Sequence, residues 1–268
     1  MSALRGVVSR HQLVLFYVLA YGLSWASAIP TDGSLLPHGP SLAAIIVLAI
    51  VAGRRGLAGL WRQVAHWRVP WTWYLAAPGA VVAFHLAAFV LNLLFGATVA
   101  GTSHLESWPA VSAVLVELLL FGGLWEEPGW TGYALPRALG PAAHRTVNRL
   151  LAATLVVGVL RAVWHLPLVL YGHLPWYDFL FYNLALQFIV TWLYLGTRGS
   201  VLVVMLFHLA SNVAFRLMSP LFAGVDATRY WGLFIACAWG VVLAVVLPGW
   251  LRSRAETRTA AAGLDGQG

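Results

Sequence analysis

The sequence predicts an all-α, polytopic membrane protein of about eight transmembrane helices. Of its 268 residues, 60% are hydrophobic and only 9% are charged, and the mean hydropathy is +0.80. A soluble domain carries about 25% charged residues, so this composition excludes a soluble enzyme with a single core. The apolar residues form continuous runs instead of alternating with polar ones, which favours helices over strands.

Eight apolar runs mark the predicted helices. A helix needs about 20 residues to cross a hydrocarbon core of about 30 Å, and only the second run falls clearly short of this length. We expect one integral-membrane domain over residues 1–255, followed by a small, polar, disordered cytoplasmic tail over 256–268. The runs are 12–29, 40–52, 73–95, 108–127, 149–171, 180–196, 200–218 and 231–250.

The arginines predict the orientation of these helices. All 16 basic residues are arginines, and most lie in loops on one side of the predicted bundle. Basic residues are enriched in cytoplasmic loops, so we expect a multi-pass protein of the cell membrane with both termini in the cytoplasm. The arginines on this side are Arg5, Arg10, Arg54, Arg55, Arg62, Arg68, Arg137, Arg145, Arg149, Arg198, Arg252, Arg254 and Arg258.

The opposite loops carry Asp32, Glu106, Asp178 and Asp226, with Arg229 as their basic residue. Topology therefore accounts for the formal charge of +7, and we expect the lipid bilayer as a partner and no nucleic acid. The sequence does not indicate an oligomeric state.

The first helix has an alternative interpretation. Residues 1–28 resemble a signal peptide, with Ala26-Ser27-Ala28 as a cleavage site, although we expect the segment to be retained. Cys237 is the only cysteine, which excludes an intrachain disulfide and a cysteine-ligated metal site.

Ionisable groups inside the apolar runs are functional candidates, because a charge in the bilayer core is costly and usually faces a protein-lined cavity. From helix lengths, Glu126 and His165 lie roughly 16 and 21 Å above the cytoplasmic ends of their helices, and His208 lies roughly 12 Å above its own. These groups can therefore share one layer. The candidates are His85, Glu117, Glu126, Glu127, Arg161, His165, His208 and Arg216, together with Asn212.

This set of side chains supports two kinds of chemistry. A carboxylate can take a proton from water while a histidine orients the water, and a second histidine with the Asn212 amide can bind an oxyanion. Alternatively, Glu126, His165 and His208 can form a three-ligand zinc site with an open position. Spacing alone leaves both alternatives open.

Three motifs resemble the CPBP intramembrane proteases, also called the ABI family, which includes the CAAX prenyl endopeptidases. The segment 126–137 reads EEPGWTGYALPR and is similar to the family's EExxxR motif with its GY and LPR continuation. Residues 164–167 read WHLP, and residues 207–212 read FHLASN, similar to the family's HxxxN motif. The resemblance covers a catalytic core of about residues 108–218.

The resemblance implies an intramembrane endopeptidase that hydrolyses peptides presented at or within the membrane, from a site below the cytoplasmic surface. It implies that Glu126 is the general base, that His165 helps to hold the water, and that His208 and Asn212 form the oxyanion pocket. Glu127 would support the site. The family has been described both as metalloproteases and as glutamic proteases, and we favour the metal-free glutamic mechanism, with zinc as the alternative.

One position departs from the family pattern. The arginine of EExxxR corresponds to Thr131 here, so the acidic pair lacks its expected cation. Arg161 precedes His165 by one helical turn at a depth close to that of Glu126. We therefore expect an ion pair between Arg161 and the two glutamates.

Other interpretations compete with the protease. A transporter is disfavoured because the sequence shows no internal duplication. A non-catalytic immunity or scaffold protein of the same fold is a further alternative, which the Thr131 departure favours. We expect His85 to be structural, Glu117 to face away from the site and Arg216 to extend outward. Gly122 and Gly123 predict close helix packing.

Overall fold

The computed structural model describes residues 8–142 and 146–251. The tail predicted over 256–268 lies outside these residues, as do five of the arginines used to predict the topology: Arg5, Arg145, Arg252, Arg254 and Arg258. The prediction of a single domain over 1–255 stays a prediction.

Helices account for the architecture, and no strand occurs within residues 8–142 and 146–251. This confirms the all-α membrane fold, and each of the eight apolar runs forms a helix. The main helices are α1 (Gln12–Ala28), α2 (Gly39–Val51), α3 (Gly53–Val64), α4 (Thr72–Leu94), α5 (Trp108–Phe121), α6 (Val147–Trp164), α7 (Asn183–Gly196), α8 (Val201–Met218) and α9 (Gly224–Val241).

Six helical spans of the described chain are long and apolar enough to cross a membrane. The first two apolar helices are shorter: α2 has 13 residues, which rise only about 20 Å. The six spans are Thr72–Leu94, Trp108–Leu139, Val147–Trp164, Asp178–Gly196, Val201–Leu221 and Gly224–Leu251.

Local sequence sets where three of these helices begin. The side chains of Ser107, Thr146 and Ser200 each accept a hydrogen bond from a backbone N–H in the first turn of the helix that follows. Such caps satisfy backbone donors that have no partner within the helix. They fix the starts of α5, α6 and α8, from which the candidate site residues project.

The span that begins with α5 is not a regular helix. After Phe121 it continues as the motif segment, which we define as residues 122–139, through a 3₁₀ turn (Gly123–Glu126), a helical turn (Glu127–Gly129) and a π-helical turn (Trp130–Ala134). At Gly122 the backbone is extended, and a Cβ atom there would lie 2.2 Å from the Leu118 carbonyl oxygen. Only glycine therefore fits this break, and π-helical turns of this kind often occur at functional sites.

The helix ends form two opposite faces. The arginine-rich face contains α3 and the segments 63–72, 139–142, 146–147 and 197–200. There Gln63 of α3 contacts both the Gly132 carbonyl and Tyr194. Residues 54–68 were expected to be a loop, but most of them form α3. The arginine-poor face contains the segments 29–38, 95–107, 165–178 and 222–223. On this face His173 contacts the Asp32 carbonyl, and Asp226 accepts from the Thr98 amide.

Helix α1 packs within the bundle. Its Phe16 and Ala20 are fully buried, and its aromatic groups bind the end of α6. Tyr21 donates to the Leu160 carbonyl at 2.5 Å, and Trp25 donates to the Trp164 carbonyl at 2.9 Å. These contacts fix the position of the last turn of α6, which carries Arg161 and is followed by His165.

Candidate active site

The motif segment carries the two glutamates into the centre of the bundle. Glu126 ends the 3₁₀ turn and Glu127 begins the next helical turn, and both side chains are buried. Neighbouring residues of a regular α-helix point about 100° apart. The irregular backbone and the length of the glutamate side chain together allow both carboxylates to reach the same cation.

That cation is Arg161 of α6, whose side chain is fully buried. One guanidinium nitrogen, Nη2, lies 2.6 Å from Glu127 Oε1 and 3.3 Å from Glu126 Oε2. The structure therefore contains the ion pair that the sequence predicted. The other guanidinium nitrogens, Nε and Nη1, are buried and have no hydrogen-bond partner among the described residues.

Residues one turn further along the motif segment hold the carboxylates from the other side. Trp130 Nε1 donates to Glu126 Oε2 at 3.3 Å, and Thr131 Oγ1 donates to Glu127 Oε2 at 2.5 Å. Thr131 stands where the family has arginine, and its hydroxyl thus contacts the carboxylate that Arg161 neutralises. Neither donor was predicted, although Trp130 follows Glu126 by four residues and Thr131 follows Glu127 by four, a spacing that indicates a shared helix face.

His208 of α8 completes the buried cluster. Its Nδ1 lies 2.7 Å from Glu127 Oε1 and 3.0 Å from Arg161 Nη2. Since the Glu127 carboxylate can only accept, we assign the proton to Nδ1, which donates to Glu127 Oε1; the contact of Nδ1 with Arg161 Nη2 is then not a hydrogen bond, because both nitrogens are donors. The other ring nitrogen, Nε2, then donates a hydrogen bond only when the ring is protonated.

Gly123 provides the space that the His208 ring occupies. A Cβ atom at this position would lie 2.2 Å from His208 Nε2 and 3.0 Å from Asn212 Nδ2. A side chain here would therefore displace both groups of the predicted oxyanion pocket. We expected Gly123 to serve helix packing, and its contacts instead place it against the site.

His165 lies at the end of α6, where the helix stops before Pro167. Its Nδ1 is 2.9 Å from the Arg161 carbonyl oxygen. A carbonyl can only accept, so Nδ1 carries a proton, and Nε2 of the neutral ring offers a lone pair. This tautomer suits a group that accepts a hydrogen bond from water.

A cavity of about 320 Å³ joins these groups. Glu126, Arg161, His165, His208 and Asn212 all line it, and the Asn212 amide makes no hydrogen bond with a described residue. Glu127 lies behind the wall as the fully buried partner of Arg161 and His208. The structure thus brings all six predicted site residues together.

The cavity reaches the arginine-poor face. Its outer wall includes Ser34, Leu35 and Pro37 from the segment between α1 and α2, and Leu174 and Asp178 from the segment after α6. Its inner wall comes from the C-terminal end of α5 and from the halves of α6 and α8 that end toward the same face. The wall residues therefore lie in the half of the bundle away from the arginine-rich face, and the expectation of a site below the cytoplasmic surface stays a prediction.

Three candidates lie apart from the cavity: His85, Glu117 and Arg216. His85 is buried, its Nδ1 lies 2.8 Å from the Tyr230 hydroxyl, and its ring stacks on Phe234. Glu117 faces away from the site and pairs with Arg216 at 3.2 Å, with both side chains about half exposed. Arg216 therefore extends outward, but toward a specific partner that the sequence analysis did not identify.

The described residues do not fit a zinc site. No group of three His, Cys, Asp or Glu side chains within residues 8–142 and 146–251 is arranged to hold a metal ion. Of the three proposed ligands, Glu126 contacts the Arg161 guanidinium, a positive charge that opposes a second cation at the same oxygens.

The segment that contains the motifs is similar to known proteins. Residues 107–214 match the family profile described as type II CAAX prenyl endopeptidase Rce1-like. A curated relative, CAAX prenyl protease 2 of Methanococcus maripaludis, is 28% identical over 107 residues. The alignment covers 36% of this chain and 37% of the relative, so the chain spans well under half of that protein's length.

No solved structure matches the chain significantly. The matched residues contain all three motifs, from Glu126 to Asn212, and most of the residues that line the cavity. Residues 107–214 are therefore similar to the Rce1-like endopeptidases, in a chain that has the helices of a multi-pass membrane protein.

Proposed function

We propose that this protein is a metal-free intramembrane endopeptidase that cleaves membrane-associated peptides with water activated by Glu126. The observation that carries this proposal is the convergence of Glu126, His165, His208 and Asn212 on one cavity inside an apolar bundle. The cavity offers a proton acceptor, a lone pair to orient water, and donors for an oxyanion, which are the parts that peptide hydrolysis requires.

The contacts suggest a role for each group. Water is held between the Glu126 carboxylate and His165 Nε2, and Glu126 takes its proton as the oxygen attacks the peptide carbonyl. The Asn212 amide and protonated His208 Nε2–H donate to the developing oxyanion. Glu126 then passes its proton to the leaving amine as the C–N bond breaks. Glu127 stabilises the His208 imidazolium and keeps its ring in place.

Charge balance supports this assignment. Two carboxylates, the Arg161 guanidinium and a protonated His208 sum to zero, so the buried cluster carries no net charge when it is ready to bind an oxyanion. A buried ionic cluster is tolerated when its charges are paired and hydrogen-bonded. Arg161 would thus supply the cation that the family places at the position of Thr131.

The Glu126→Gln variant tests the catalytic proposal. The amide cannot accept a proton from water, so we expect cleavage of a panel of membrane peptides to fall at least about 10³-fold. Glu117→Gln is the matched control, since Glu117 is in the same span but outside the cavity. Equal cleavage by wild type and Glu126→Gln would refute the assignment and favour the non-catalytic alternative. Activity that is lost on metal stripping and restored by zinc would favour the zinc mechanism.

The orientation of the chain follows from the arginines, and we propose that the arginine-rich face and both termini are cytoplasmic. The cavity then opens away from the cytoplasm, so the substrate would approach from the extracytoplasmic side. This differs from the access we expected from the family resemblance.

Cysteine labelling tests this orientation without requiring activity. In a Cys237→Ala background, Ser34→Cys places a thiol at the cavity mouth and Ala58→Cys places one on α3 at the other face; both positions are exposed. In intact spheroplasts, a membrane-impermeant maleimide should label Ser34→Cys, and it should label Ala58→Cys only after permeabilisation. The reverse pattern would overturn the orientation.

A further inference from the structure

Asp178 is a carboxylate that the proposed mechanism does not use. Its place in the sequence predicts a loop residue opposite the arginine-rich side, and in the structure only 4% of its surface is exposed. It begins the π-helical turn Asp178–Tyr182 that leads into α7. Asp178 lines the same cavity as Glu126 and His165, near the arginine-poor face.

No described residue donates a hydrogen bond to the Asp178 carboxylate. Two polar side chains that follow Asp178 in the chain have other partners: the Tyr182 hydroxyl pairs with Ser211 Oγ at 2.5 Å, and Asn183 Nδ2 donates to the Phe179 carbonyl at 3.0 Å. By contrast, Glu126 and Glu127 each contact Arg161. Since a buried carboxylate is costly without donors, Asp178 is a binding group that the protein itself leaves unsatisfied.

The charge of the cavity indicates what this group would bind. Arg161 supplies positive charge to the cavity wall, but it is shared between Glu126 and Glu127. In its ionised form, Asp178 therefore adds a negative charge that no described cation offsets. A carboxylate in a confined site favours a cation, and the strongest pairing is with a guanidinium that donates two hydrogen bonds.

We propose that Asp178 forms a specificity subsite for a basic side chain, arginine or lysine, of the bound peptide. This inference rests on the proposed peptidase function and adds a substrate class to it. The basic residue would occupy the mouth of the cavity while the scissile bond lies deeper, beside Glu126 and His165. The apolar residues Leu35 and Leu174 on the same wall would contact the methylene groups of the side chain.

Binding measurements can test the subsite without turnover. The protein is the Glu126→Gln variant, and the ligands are fluorescein-labelled apolar decapeptides. Each peptide carries one arginine at a different position and has a counterpart in which neutral citrulline replaces this arginine. Fluorescence anisotropy should show at least one arginine peptide binding about tenfold or more tightly than its citrulline partner. Adding Asp178→Asn should reduce this preference to about twofold or less.

Asp32→Asn is the matched control. Asp32 is an exposed acid on the same face and does not line the cavity, and asparagine tolerates its positive φ of 51°. This variant should keep the preference for arginine. Asp178→Asn should also unfold at the same temperature as its parent or higher, because the substitution removes an unpaired charge; a clear decrease would indicate a structural ion pair instead.

Different results would overturn the Asp178 subsite and the peptidase function. Equal binding of arginine and citrulline peptides, binding of neither, or a preference that survives Asp178→Asn would overturn the subsite. Cleavage by the wild type without any preference for basic peptides would do the same and leave the peptidase intact. Binding that depends on Asp178 without cleavage would support the subsite and contradict the peptidase.

Discussion

Arg161 and Arg216 each pair with glutamate in the membrane-spanning segments, and the surroundings of the two arginines differ sharply. Arg161 and Glu127 are both fully buried at 2.6 Å, and Glu126, His208 and Thr131 extend the contact into a network. Arg216 and Glu117 lie 3.2 Å apart with about half of each side chain exposed. The first pair also borders the cavity through Arg161.

The difference shows that an ionisable group within an apolar run does not by itself indicate a catalytic site. A half-exposed pair can be formed or broken at little cost, since the surroundings solvate each partner. A buried network holds its members in one geometry, because any member that loses its partner becomes an unpaired charge in a medium of low dielectric. Only the second situation can keep catalytic groups in place.

The largest effect is expected from Arg161→Met, which leaves two buried carboxylates without their cation. We expect a loss of about 3–5 kcal/mol in stability, visible as a lower unfolding temperature in detergent, together with loss of peptidase activity. A variant as stable as the wild type would show that the pair is not a structural requirement.

A second arginine position provides a check on the role of Arg161. Combining Arg161→Met with Thr131→Arg returns the cation to the place where the family carries it. If Arg161 acts as the replacement, the double variant should regain part of the unfolding temperature lost by Arg161→Met. A double variant less stable than Arg161→Met would argue against this equivalence.

A smaller effect on stability, but a clear effect on activity, is expected from Gly123→Ala. The added Cβ would lie 2.2 Å from His208 Nε2, so the ring must move away from the oxyanion position. We expect about 10²-fold lower peptidase activity, as displacement of a catalytic group by about 1 Å can cause. The accompanying loss of stability should be about 1–3 kcal/mol. The control is Gly79→Ala in α4, where the new Cβ has no neighbouring atom within 4 Å outside its own helix backbone. Similar activity in both variants would show that the His208 ring does not need the space at Gly123.

The smallest effect is expected from Glu117→Gln and Arg216→Gln, alone or combined. Because both side chains are half exposed, each variant should change stability by less than about 1 kcal/mol. Activity should stay within about twofold of the wild type, since distant sites seldom couple strongly. A large loss from either substitution would mean that α5 and α8 must be held together for catalysis, and the contrast between the two pairs would then fail.

Much of the candidate site was predictable because its residues lie at diagnostic spacings. Glu126 and Glu127, His165, and the His208 and Asn212 pair stand out as polar groups in apolar runs, and helix lengths place them at similar depths. The partner of the acidic pair was predictable too, since few cations occur within the spans. His85 was correctly separated from the site because it lacks a polar neighbour at helical spacing.

The contact of Gly123 with His208 and the burial of Asp178 were not predicted, for a different reason. Nothing in the local sequence distinguishes a glycine against a helix from one against a catalytic ring, because the contact with His208 joins residues 85 positions apart. Asp178 lies at the edge of an apolar run, where sequence alone cannot separate an exposed loop acid from one lining a cavity. Burial of such a residue depends on how loops from distant helices close over it.

The sequence by itself determined the membrane class, the number and type of the apolar helices and the set of candidate catalytic groups, because composition, run length and motif spacing are local properties. Tertiary structure alone decided which face the cavity opens on and which carboxylate among the described residues lacks a partner. These properties arise from contacts between helices distant in sequence, and only the packed bundle specifies those contacts.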